Sequence, residues 1–311
     1  MFLPSIDAGV YAGVGAAALM ACSYLSSGWA LRRTPGLTSV GLFFNALMGM
    51  TLVSLAGIWF VWDKALLLRA GAYLPALLAT VFAYGLGQCL IFLAQRDIDA
   101  SRIVPLLGLK LPMLALLNLV VFRQHFSLLQ LLAIALTVLA AFVLNNAGHR
   151  IGWLNMSLVL AGCCAYCLSD TFIRVMVQRM QGTVYDGDLF MASASSTLLT
   201  YLLCGLIGLT VVLLGPAHFR CKGAALHTFP YALFWVPSIV LFSFCLGRLG
   251  TVYGNIIQAS RGLLAIFFVQ LLNLVGLYKV DGKATALVVA RRLLAALLVI
   301  AAAALYNFHH A

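Results

Sequence analysis

The chain has 311 residues, of which 64% are hydrophobic and 9% charged. Soluble domains are about half apolar and about a quarter charged, so this composition excludes a soluble enzyme or binding module and points to a polytopic membrane protein. The formal charge of +11 comes from 19 Lys and Arg against 8 acids, every one an aspartate. The positives are scattered over short loops, which suits anionic lipid head groups and leaves no basic stripe or tail for nucleic acid.

The first apolar run follows MFLPSIDAGVYAGVG, which lacks the basic flank of a cleaved signal peptide and is expected to be a mature span. Apolar runs between polar breaks predict ten spans in chain order, near 7–31, 38–61, 72–95, 100–122, 127–146, 153–175, 188–214, 229–247, 251–277 and 285–308. The breaks carry the usual punctuation, among them Arg32-Arg33-Thr34-Pro35-Gly36, Trp62-Asp63-Lys64 and Gly215-Pro216. In lipid each span must satisfy its own backbone, so the expected fold is an all-α membrane protein of ten transmembrane helices.

The first span is rich in small residues at helical spacing. Gly9 with Gly13 and Ala12 with Ala16 make faces suited to close helix packing. Cys163, Cys164 and Cys167 resemble a metal motif on paper, but they lie in a continuous helical pattern without a nearby histidine. They read as small packing residues, and no metal site is expected. The six histidines are expected in loops or at the end.

The ten spans divide five and five, giving one repeat over 1–147 and a second over 148–311. Sliding ASRIVPLLGLKLPMLAL onto GTVYGNIIQASRGLLAI pairs Ala100 with Gly250 and Pro112 with Gly262, and leaves Lys110 and Arg261 one residue out of register. Two five-span repeats insert in opposite senses, which is the inverted-repeat plan of secondary transporters.

Lys110 and Arg261 therefore lead the candidate site residues. A fixed cation inside a span costs about 2.5–3.5 kcal/mol on insertion scales. Lys110 precedes Pro112, which is expected to kink the helix and free a carbonyl; the alternative role for Lys110 is snorkelling or a structural contact. The Arg261 guanidinium suits carboxylate or phosphate bidentately, and its alternative is an ion pair with Asp170. Asp170 and Arg174 are one turn apart in the sixth span and read as a structural pair, with proton coupling as the alternative for Asp170. Tyr84 and Gln88 share a helix face, as do Gln258 and Arg261, while Tyr24 and Tyr166 are candidate aromatic walls. Arg291 and Arg292 open the lipid-embedded part of the last span. No Gly-rich phosphate loop, paired carboxylates or Ser/His/Asp set appears in the sequence, so an enzyme is not expected, nor is a cofactor.

The segments AQRDIDASRIVPLLGLKLPMLALLNLVVF and FSLLQLLAIALTVLAAFVL resemble the third-loop, fourth-helix and fifth-helix signature of the EamA-type members of the drug/metabolite transporter superfamily. The chain departs from that family where a glutamate commonly precedes the fifth helix: here Phe122-Arg123-Gln124-His125-Phe126 stands, and the second half offers Asp281. The resemblance implies ten helices in two inverted repeats and alternating access. Relatives that move phosphorylated sugars use basic residues on the fourth helix and around the ninth and tenth, which implies an anionic or zwitterionic substrate. The expected activity is transport of a small organic anion or zwitterion through a central basic cavity. The expected partners are a small-molecule substrate and the lipid bilayer, and the expected state is a monomer or weak dimer in a bacterial inner membrane. The alternatives are a multidrug or cation exporter, disfavoured by the missing glutamate, and a non-transporting protein such as a lipid-head-group flippase partner. The family's orientation puts both termini in the cytoplasm, whereas the distribution of Lys and Arg over the loops leans slightly the other way.

Overall fold

A computed structural model describes residues 7–94, 107–123, 125–145, 152–216, 219–274 and 286–307. Among the described residues all regular structure is helical, and seven helices are long and apolar enough to cross a membrane. Helix α1 (Ala8–Arg33) starts at Asp7, whose carboxylate accepts from the Gly9 amide at 2.6 Å, and ends on Arg32 and Arg33, which complement the helix dipole. Helix α2 (Ser39–Val61) is capped by the Thr38 hydroxyl. A single turn, α3 (Ala65–Leu68), leads into α4 (Ala70–Ala94). A 3-10 turn (Leu107–Leu109) runs directly into α5 (Lys110–Phe122), followed by α6 (Leu128–Asn145).

Helix α7 (Trp153–Thr183) is the longest, and α8 (Leu189–Leu214) begins at the Asp188 cap. Helix α9 (Ala224–Leu249) ends at Gly250, whose φ of +89° is the left-handed conformation that glycine tolerates, so α10 (Thr251–Gln258) starts at the next residue. Helices α11 (Arg261–Leu274) and α12 (Ala286–Asn307) complete the described chain.

The chain forms two compact units. One holds residues 1–85 and 169–250, the other 86–168 and 251–311. In the first, α1 packs on α9 and α2 packs on α8 and α9. The approaches are made by small residues: a Cβ on Gly9 would lie 2.8 Å from Leu249 Cγ, and one on Gly208 would lie 2.5 Å from Leu47 Cβ. Polar side chains join the helices, as where Ser23 Oγ donates to the Tyr231 carbonyl at 3.1 Å and Asn45 Nδ2 to the Phe219 carbonyl at 2.8 Å. In the second unit α6 packs on α12 through Ala140, Ala295 and Val299. Tyr253 of α10 stacks on Tyr306 of α12 with ring centroids 5.2 Å apart, and Asn118 of α5 bonds Thr251 of α10. Large apolar side chains such as Trp59, Phe60, Leu68 and Trp153 point outward, as lipid-facing residues must.

Several expectations change in detail. The predicted span 251–277 is broken at residues 259–260, between α10 and α11. Helix α7 runs about two turns past the predicted end at 175, so Arg179 is helical rather than in a loop. Helix α9 begins earlier than 229 and takes in His227, whose Nδ1 lies 2.8 Å from the Thr34 hydroxyl. Pro112 does not interrupt a helix. It is the third residue of α5, where its missing N–H removes no intrahelical bond. Residues 95–106 and Asp281 lie outside the described residues.

Candidate functional site

In the second unit two cations open helices. Pro112 cannot donate to the carbonyl four residues back at Gly108, so the turn before α5 is 3-10 and Lys110 becomes the first α-helical residue. Leu109, at the cap position, supplies no side-chain bond. Lys110 is only 9% exposed. Its ammonium sits 5.9 Å from the centroid of the Tyr166 ring, within cation–π range. Its carbonyl accepts from Cys167 Sγ at 3.3 Å, and one turn on, Met113 Sδ meets Cys164 Sγ at 3.6 Å. The cysteine cluster thus serves the packing of α7 on α5.

Arg261 repeats the pattern. The Ser260 amide bonds the Ile257 carbonyl at 3.1 Å, a 3-10 closure, and its hydroxyl donates to the same carbonyl at 2.7 Å. The Leu264 amide then bonds the Ser260 carbonyl at 3.0 Å, starting a new helix whose first residue is Arg261. Arg261 is half-buried, and a Cβ on the neighbouring Gly262 would meet nothing within 4 Å. Both cations lie within electrostatic reach of the buried Cys163 thiol. Gln88 and Gln258 are buried positions of the same unit, and Gln258 is the last residue before the break. Lys110, Arg261, Tyr166, Gln88 and Gln258 therefore all fall in one unit.

Tyr24 and Tyr84 fall in the other, together with Asp170 and Arg174. There Tyr84 meets Tyr201 edge-on at 5.4 Å, and Trp235 Nε1 donates to the Tyr201 hydroxyl at 2.8 Å. Tyr24 meets Trp235 edge-on at 5.9 Å, and Tyr231 stacks on Trp235 at 5.3 Å. Asp170 is half-buried on α7, within electrostatic reach of the Tyr201 hydroxyl. The Arg174 guanidinium packs 3.9 Å from where a Cβ on Gly250 would stand. Tyr201, Tyr231 and Trp235 were not singled out from the sequence; polar-tipped aromatics within apolar runs are the signal that marks them. Arg291 is a half-buried residue of α12.

One ion pair also escaped the sequence. Asp7, at the α1 cap, accepts from Arg248 Nε in the last turn of α9 at 2.7 and 3.0 Å. Burial raises the Asp7 pKa, but the Gly9 amide and the Arg248 guanidinium outweigh it and hold the carboxyl below its ordinary value.

Residues 7–146 match the EamA-like transporter family. No curated protein matches the chain. Among the solved structures that do, one crystal structure of a protein superposes with a TM-score of 0.65 over 98% of this chain and 98% of that one, at 14% identity. At that identity the likeness shows the fold alone.

Proposed function

We propose that the chain, whose residues 7–146 match the EamA-like transporter family of the drug/metabolite transporter superfamily, is a secondary transporter of a small organic anion or zwitterion. Carboxylates, amino acids and phosphorylated or nucleotide-like metabolites are the substrate classes. Members of this family are transporters and not enzymes. The fold we propose for it is ten spans in two inverted repeats, 1–147 and 148–311, working by alternating access.

The observation that carries the substrate class is the coincidence of a cation with a helix start, twice, in one unit. A helix N-terminus has a partial positive charge, so a lysine or arginine there costs about 0.3–1 kcal/mol instead of stabilising the helix. Placing it within an apolar span adds the insertion cost. Neither cost serves folding. Each cation adds its charge to the partial positive charge of a helix start, and broken helices of transporters hold anionic groups at such ends. An entering anion meets that positive potential and favours closure around it.

The composition of the two units supports the repeat. Each takes a matching share of both halves, 1–85 with 169–250 and 86–168 with 251–311. A second reading, export of an organic cation, draws support from the ring cluster of Tyr24, Tyr84, Tyr201, Tyr231 and Trp235 with Asp170 nearby. Uptake of labelled anions and cations into proteoliposomes, with and without a pH gradient, separates the two. Anion uptake without cation uptake supports the first, and the reverse result replaces it with the second.

A further inference from the structure

Helices α4 and α7 cross at two glycines. A Cβ on Gly87 would lie 2.9 Å from Cδ1 and Cε1 of Tyr166 and 3.3 Å from the Gly162 carbonyl oxygen, and one on Gly162 would lie 2.9 Å from Ile91 Cδ1 and 3.4 Å from the Gly87 carbonyl oxygen. The two backbones therefore approach closely, and the Cδ1–Cε1 edge of the Tyr166 ring lies against Gly87. The Lys110 ammonium stands 5.9 Å from the centroid of that ring. The Lys110 carbonyl is bonded by Cys167, the residue after Tyr166. Backbone and ammonium of Lys110 are thus both tied to the same turn of α7.

We propose that the Gly87–Gly162 crossing is a positioning device for the binding cation: it sets Tyr166, and the Tyr166 ring face holds the Lys110 ammonium where an anion meets it. This rests on the reading of Lys110 as an anion ligand. A buried ammonium on a flexible four-carbon stem has many rotamers, and fixing one before the substrate arrives removes an ordering cost from binding. The ring is suited to this because its face attracts the cation without neutralising its charge, whereas a carboxylate would compete with the substrate. The close crossing explains why glycine stands at both positions: any side chain at Gly87 pushes the ring off its place.

The chain has five lysines, so lysine labelled with carbon-13 at Cε gives a readable spectrum. The purified full-length protein is expected to show one resonance shifted upfield by ring current and missing in Lys110→Met. Tyr166→Phe keeps the shift. Tyr166→Leu and Gly87→Ala return it towards the position of a free lysine, and a pentafluorophenylalanine at 166, which keeps the ring's volume and reverses the charge of its face, does so in a protein that folds as wild type. Titration with inorganic phosphate then requires about five- to thirtyfold more anion in Tyr166→Leu than in wild type or Tyr166→Phe. An upfield resonance that stays put in Tyr166→Leu and in the fluorinated protein overturns the proposal. Phosphate that leaves the Lys110 resonance of the wild type unmoved counts against the anion site itself, and the ring-current result still decides the positioning role.

Discussion

At Gly205 α8 approaches α2 closely, and Gly205→Ala tests how that contact holds the first unit together. The added Cβ would lie 1.8 Å from Thr51 Oγ1, 2.9 Å from Thr51 Cβ and 2.8 Å from the Leu47 carbonyl oxygen. The hydroxyl can rotate away, at the loss of its 3.3 Å bond to Leu47. The Leu47 carbonyl belongs to the α2 backbone and cannot, so the helices must part by several tenths of an ångström. Overpacking of this kind costs about 1–3 kcal/mol, and the lost side-chain bond adds about 0.6 kcal/mol. Against this, alanine favours a helix over glycine by about 0.5–1 kcal/mol, so the net destabilisation should be about 1–3 kcal/mol. Melting of the detergent-solubilised protein, followed by loss of the monodisperse peak on heating, reads it. Gly85→Ala is the control, because a Cβ there meets nothing within 4 Å; it should melt at or above wild type. Adding Thr51→Ala to Gly205→Ala should recover part of the loss, since the 1.8 Å contact disappears while the one to Leu47 stays. Equal melting of Gly205→Ala and Gly85→Ala would refute the packing argument.

Two further outcomes follow from the contacts. Asp7→Asn keeps an N-cap side chain and removes only the charge opposite Arg248. Because the folded Asp7 pKa is depressed, its contribution is present at neutral pH and lost as pH falls through the folded value, below the ordinary carboxylate value of about 3.9. The pair is well exposed, so the melting gap at pH 7 should be small, about 0.2–1 kcal/mol, and should close on acidification; a gap that does not change with pH contradicts the assignment. Asn118 is 1% exposed and bonds both the Leu114 carbonyl, at 2.7 Å, and the Thr251 hydroxyl, at 3.2 Å. Asn118→Leu and Thr251→Val should each cost about 0.6–1.7 kcal/mol, and the double variant should cost less than their sum. Strict additivity in thermal melting would show the pair to be uncoupled.

Much of this architecture is legible in the sequence because lipid makes the apolar period carry both length and position: Ser39–Val61 and Leu189–Leu214 fall within a residue or two of the expected spans. The ends of α7 and α9 were harder. Arg179 and His227 look like loop residues by polarity, yet helices continue past the apolar run wherever their backbone bonds can. The helix break at Ser260 has a faint signature, a serine able to bond back to Ile257, and its structural effect depends on the turn that follows. Pro112 suggested a kink because its depth was judged from the whole apolar run; the start of α5 at Lys110 changes what the same proline does. Lys110 and Arg261 were found because charge in an apolar run is rare. The Tyr201–Trp235 bond and the Asp7–Arg248 pair join residues far apart in the chain, and no local pattern announces them.

The central claim concerns the two cations that open α5 and α11. Its most direct test is uptake of labelled organic anions by proteoliposomes containing wild type, Lys110→Ala or Arg261→Ala, each matched for inserted, monodisperse protein. The account predicts that either substitution abolishes uptake. Uptake at wild-type rates by both variants would contradict it.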